Sequence, residues 1–203
     1  MSNKRQRSES DFTHVELSDV TESCFQLVGS GKFLTPRCRD MSVPILVVSD
    51  VVVGSVESLE RGDSKVSAVI LCTVEETRAQ GFLRWLRSID ADRECKVLVE
   101  DDKLVLKVRI MSNDNVMLFD RHASRISDVD GALRSLQGIT MSCALELPCV
   151  WFSDDVYGIT INLLEAHLST DIRPPTCLIS DECSVEDHPL SLMIEPSYVP
   201  FDG

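Results

Sequence analysis

Ile139 to Leu168 reads ITMSCALELPCVWFSDDVYGITINLLEAHL, and the order of residue types in this stretch decides the fold class. Ile139 to Phe152 is a long strand pattern interrupted at Pro148, Ser153-Asp154-Asp155 is turn-like, and a strand pattern resumes from Tyr157 to Leu168. Two apolar runs joined by a short polar turn predict a hairpin. Upstream, Lys103 to Ile110 alternates strictly: Leu104, Leu106, Val108 and Ile110 share one face, and Lys103, Val105, Lys107 and Arg109 share the other. One face packs and the other is basic. Before it, Ala79, Phe82, Leu83, Leu86 and Ile89 recur at helical spacing, and Thr73 with Glu76 forms a capping box, which predicts a helix over 74–89 with Trp85 in the core. Pro44 to Val53 and Val66 to Leu71 are short Val- and Ile-rich runs that predict two earlier strands. Many strands, one amphipathic helix and no βαβ alternation predict a mainly β fold, a small antiparallel barrel or sandwich.

Charge separates this body from its flanks. The chain has 203 residues and a net charge of −13, which argues against coating duplex nucleic acid by bulk charge. Residues 25–168 hold 16 of the basic residues and 21 of the acids, so the body is near −5 and any nucleic-acid contact must be local. Residues 1–24 open with Lys4, Arg5 and Arg7 and continue in polar residues, a pattern expected of a flexible arm whose basic cluster could serve as a nuclear address. From 169 the chain reads as an acidic, Pro-containing tail. Between 171 and 203 seven acids oppose Arg173 alone, and Tyr198 and Phe201, flanked by Pro196 and Pro200, offer aromatic anchors for partner docking. The expected organisation is therefore an arm at 1–24, a β domain at 25–168 and a tail at 169–203, with both termini disordered. Eight cysteines without a CxxC pair, and no apolar leader near Met1, fit reduced thiols inside a cell. The longest apolar stretch, Val43 to Val56, is too short and interrupted to span a bilayer, so no membrane association is expected.

Few motifs point to chemistry. Gly29-Ser30-Gly31-Lys32 resembles the end of a phosphate-binding loop, but Gln26 stands where the first Gly belongs and Phe33 where the metal-binding hydroxyl belongs, so a glycine turn between strands is expected. Cys177, Cys183 and His188 lack the paired spacing of zinc ligands, and Asp128-Val129-Asp130-Gly131 lacks the later ligands of a calcium loop and predicts a turn. The four His lie in no nucleophile motif, so no enzyme, metal or cofactor is expected. The informative constellation is Lys96, Lys103, Lys107 and Arg109 followed by Phe119, Trp151 and Tyr157. Binding a single strand needs cations that track phosphates and flat rings on which bases stack. The same residues also suit a solvated strand face and a core, with Trp151 buried.

The order of amphipathic helix, LKVRI (Leu106 to Ile110), FD (Phe119, Asp120) and the 139–168 hairpin resembles the single-stranded-DNA-binding proteins of large double-stranded DNA viruses. The resemblance covers about residues 75–168 and is sharpest from Leu145 to Ile161. It implies an OB-type barrel with Lys107 and Arg109 in the nucleic-acid groove and Trp151 and Gly158 in the closing hairpin. Where the family pattern has an aromatic shortly after that Gly, this chain has Thr160, Ile161 and Asn162. The function it implies is a non-enzymatic protein that holds single-stranded DNA for viral replication, recombination or repair. Its acidic tail would engage other replication proteins, and it would act in a host nucleus or a cytoplasmic viral replication site, with room for a homo-oligomer. The rival reading is an all-β structural or scaffold protein, of a virion or an interaction module, whose basic strand face is only solvated.

Overall fold

A computed structural model describes residues 12–58, 66–111 and 116–170. Eleven strands and two helices follow in the order β1 (Phe12–Glu16), β2 (Gln26–Ser30), β3 (Phe33–Arg37), β4 (Val43–Ser58), β5 (Ala68–Glu75), α1 (Glu76–Ser88), β6 (Glu94–Cys95), β7 (Leu98–Glu100), β8 (Lys103–Ile110), β9 (Met117–Phe119), α2 (Val129–Arg134), β10 (Thr140–Phe152) and β11 (Val156–Leu168). The path β4–β5–β8–β11–β10 closes on itself because β10 also pairs β4, giving a five-strand closed barrel. Within that circuit only β8 and β11 run parallel. The domain is mainly β and OB-like.

Alternation produces this arrangement residue by residue. On β8, Leu104, Leu106, Val108 and Ile110 are buried inside the barrel, as are Met141, Cys143, Leu145 and Leu147 on β10. The predicted hairpin forms with Phe152 opposite Tyr157 and Met141 opposite Leu168. Pro148, which has no N–H to give, sits where the register shifts between Glu146 and Cys149, so the interruption in the pattern is a β-bulge and not a strand end. One side of α1 docks on the barrel through Ala79, Phe82, Leu83, Trp85 and Leu86, and Trp85, 2% exposed, meets the Phe25 ring edge-on at 4.9 Å.

Three expectations change. The capping box does not form: Thr73 lies within β5 opposite Val52 and Val105, the helix is preceded by Glu75 with no side-chain cap, and the Glu76 N–H donates to the Asp102 carbonyl at 2.8 Å. The pairing of β5 on both sides outweighs a local cap. Residues from 12 onward do not belong to an arm, because Phe12–Glu16 pairs in parallel with β4, and Leu17 and Val20 reach the core beside α1. Their apolar residues are too widely spaced to read as a strand. Finally, a second helix is present: Asp128 caps α2 by accepting from the Gly131 N–H at 2.9 Å, so the expected turn is the first turn of a short helix. The glycine turn at 29–32 joins β2 to β3 as expected. Lys4, Arg5, Arg7, Cys177, Cys183, His188, Tyr198 and Phe201 lie outside the described residues.

Candidate nucleic-acid interface

Side chains on the outer surface of β8, β11 and β10 form one strip, because every residue that points out follows from the inward set just described. Arg109 on β8 stands beside Asn162 on β11, which stands beside Glu146 on β10. One pleat along, Lys107 points the same way from β8, and Thr160 accepts from the Cys149 thiol across the β11–β10 pair at 3.5 Å. A further pleat along, Gly158 lies opposite Trp151. Lys107 and Arg109 make no hydrogen bond or ion pair with any described side chain, unlike Arg78 with Asp50 or Arg93 with Asp90. Lys96 is likewise without an acidic partner among the described residues. Its N–H donates to the Tyr157 carbonyl at 2.7 Å, next to the Cys95–Tyr157 register pair, so its side chain projects on the side opposite the buried Tyr157.

Trp151 is half-buried and packs against Gly158, where an added Cβ would come within 2.6 Å of the indole Cζ2. Only glycine lets the indole settle that close, and the ring keeps part of its surface exposed. Asn162 is 8% exposed. Its Nδ2 donates to Glu146 Oε2 at 3.4 Å, and Oδ1 is buried with no donor among the described residues. A carboxylate only accepts, so the amide must face Glu146 with its NH2 and not with its oxygen.

Three residues expected in the site are placed differently. Tyr157 is core: its ring stacks on Phe152 at 5.8 Å, its hydroxyl donates to the Leu86 carbonyl at 2.6 Å, and burial pushes its pKa up. Alternation decides this, since Tyr157 is register partner of the inward Phe152 while Gly158 is partner of the outward Trp151. Tyr157→Phe removes this bond while the Leu86 carbonyl keeps the Ile89 N–H at 3.3 Å, and should lower stability by about 1 kcal/mol in urea unfolding without touching the outer strip. Lys103 lies at the far end of β8 between Glu75 and Glu100 on the neighbouring strands, which offset its charge. Phe119 occupies the other end of β11, stacked on His167 with centroids 4.6 Å apart and planes 11° apart, and His167 in turn contacts Glu165 at 2.6 Å. From Gly158 to His167 the strip runs nine residues, about 30 Å.

Two features escaped the sequence reading. Phe33, 66% exposed, stands on β3 directly opposite Trp151. Asn162 gave no signal as an isolated polar residue in an apolar strand. A strand-pairing register, rather than composition, is what exposes both.

Fold and strip together define an OB-like barrel with an uncommitted basic outer face and an aromatic platform at one end. No family model matches the sequence, and no curated protein matches it. Solved structures with a similar course of chain include the single-stranded DNA-binding protein from bacteriophage Enc34, 12% identical with a TM-score of 0.46 over 80% of this chain and 99% of that one. The same phage protein in complex with ssDNA is 10% identical with a TM-score of 0.45, over 74% and 97% of the two chains. The single-stranded DNA-binding protein gp2.5 of bacteriophage T7 is 11% identical with a TM-score of 0.43, over 68% and 97%.

Proposed function

We propose that the protein binds single-stranded DNA along the outer strip of its barrel and carries out no catalysis. The observation that carries this reading is the placement of Lys107 and Arg109, free of acidic partners among the described residues, on the same face as the part-exposed Trp151. Cations at one pleat's spacing track a phosphate backbone, and a part-exposed ring offers a flat surface to a base without losing core. A body of net charge near −5 confines phosphate contact to this strip, which favours one flexible strand over a stiff duplex.

The finer reading, support of viral DNA replication, recombination or repair, rests on the sequence resemblance. Engagement of replication proteins through Tyr198 and Phe201, and an intracellular setting, belong to the same proposal. The six described cysteines all carry free thiols, which suits a reducing compartment.

Titration with fluorescent oligo(dT) tests the reading: binding is expected at low salt and should weaken as salt rises, and no binding at low salt would leave the scaffold alternative standing. Trp151 supplies a second readout. In a Trp85→Phe background, which removes the core indole, single-stranded DNA should quench the remaining emission, whereas emission unmoved by saturating DNA would remove Trp151 from the contact surface.

A further inference from the structure

The β2–β3 hairpin plays no part in closing the barrel, yet it carries the most exposed aromatic ring among the described residues and a lysine with no acidic partner among them. We propose that this hairpin is a second binding element that leads the single strand off the barrel, with a base stacked on Phe33 and the adjoining phosphate held by Lys32. This rests on the reading of the barrel strip as a single-stranded DNA surface.

Register and anchoring place the hairpin for that task. Phe33 is opposite Trp151, so the two rings stand on neighbouring strands roughly 5 Å apart at the backbone, and a strand crossing one reaches the other. The hairpin is fixed to the barrel, because the Phe152 N–H donates to the Lys32 carbonyl at 2.9 Å and Val150 pairs Leu34. An exposed Phe held on a paired strand is a preorganised platform, which a Phe on a loose loop is not.

Behind the turn lies a cleft of about 450 Å³ between the β2–β3 turn, the C-terminal end of α1 and the β10–β11 turn, lined among others by Lys32, Leu34, Ile89, Arg93 and Phe152. Its volume suits a nucleotide-sized group. Arg93 is already engaged there. Its guanidinium bonds Asp90, donates to the Asp154 carbonyl at 3.1 Å and lies 5.7 Å from the centre of the Phe152 ring. The Asp90 carboxyl is held below its usual range by the Asp92 N–H and then by Arg93. Arg93 is thus taken up by Asp90, the Asp154 carboxylate also lines the cleft, and Lys32 is the lining cation that no described acid pairs.

This arrangement also accounts for Gly29-Ser30-Gly31-Lys32. A nucleotide-triphosphate loop joins a strand to a helix whose N-terminus faces the phosphates, but here the turn joins two antiparallel strands. The phosphate that suits it is one of a polynucleotide backbone.

The test uses the full chain and two lengths of labelled oligo(dT), about 6 nucleotides to cover the barrel strip and about 15 to continue past it. Phe33→Ala should weaken the longer oligonucleotide about tenfold and the shorter less than about twofold, with Phe33→Tyr close to wild type. Lys32→Ala should lower the salt slope of the longer one by about one. Loss of less than twofold at both lengths, or equal loss at both, overturns the hairpin extension while the barrel reading stands. Wild-type protein that binds neither length overturns the barrel reading and the extension with it. Because Phe33 is exposed, unchanged circular dichroism is expected of each variant.

Discussion

Replacing Lys107 and Arg109 together by Ala should weaken binding of oligo(dT) on the order of a hundredfold. On the proposed reading each would make a charge-assisted contact worth at least about 1.5 kcal/mol, and two such contacts amount to roughly two powers of ten. The slope of log affinity against log salt should fall by about one to two, since each phosphate left without its cation retains its counterion. Neither side chain packs in the barrel, whose interior is built by Leu106, Val108 and Ile110 from the same strand, so urea unfolding of the variant should match wild type. A folded double variant with wild-type affinity and slope would exclude the β8 face as the DNA surface. Lys103→Ala is the internal comparison: flanked by Glu75 and Glu100, it should change the slope far less.

Gly81→Ala should cause the largest loss of stability. In an isolated helix the exchange favours the folded form by about 1 kcal/mol, because Ala is the better helix former. In this protein α1 passes so close to the N-terminal segment that a Cβ at Gly81 would overlap the carbonyl oxygen of Val20. Backbone cannot step aside as a side chain end can. Overpacking there should outweigh the propensity gain and destabilise by about 3 kcal/mol, a fall in Tm of roughly 10 °C for a domain of this size. A rise in Tm instead would show that residues 17–20 do not dock on α1.

The barrel was legible wherever alternation was strict. KLVLKVRI separates buried from outward residues without error, and the 139–168 hairpin pairs as its turn residues imply. Periodicity also found the buried face of α1, although the start of the helix was decided by the pairing of Thr73 within β5 and not by its capping potential. What could not be read was anything that depends on which strands become neighbours. Trp151 and Tyr157 look equivalent in sequence, two aromatics around one turn, and pairing sends one outward over Gly158 and the other inward to Leu86. Phe33 read as a missing hydroxyl in a degraded loop, and only its position opposite Trp151 gives it a role. Phe12, Leu17 and Val20 were assigned to an arm because their partners, β4 and α1, lie dozens of residues away.

The parallel seam between β8 and β11 has a consequence for the order in which this protein becomes competent. Ile161 meets Val108 and Asn162 meets Arg109 across more than fifty positions of chain, and the β10–β11 hairpin must dock along β8 before the barrel is sealed. Contacts so remote in sequence form late, since the intervening chain must lose its freedom first. Until then Lys107 and Arg109 are charges on an open sheet, without Gly158 and Trp151 beside them. A chain interrupted before β11 would therefore retain its cations and lose their alignment, so affinity for single strands would report on completion of the barrel rather than on the presence of basic residues.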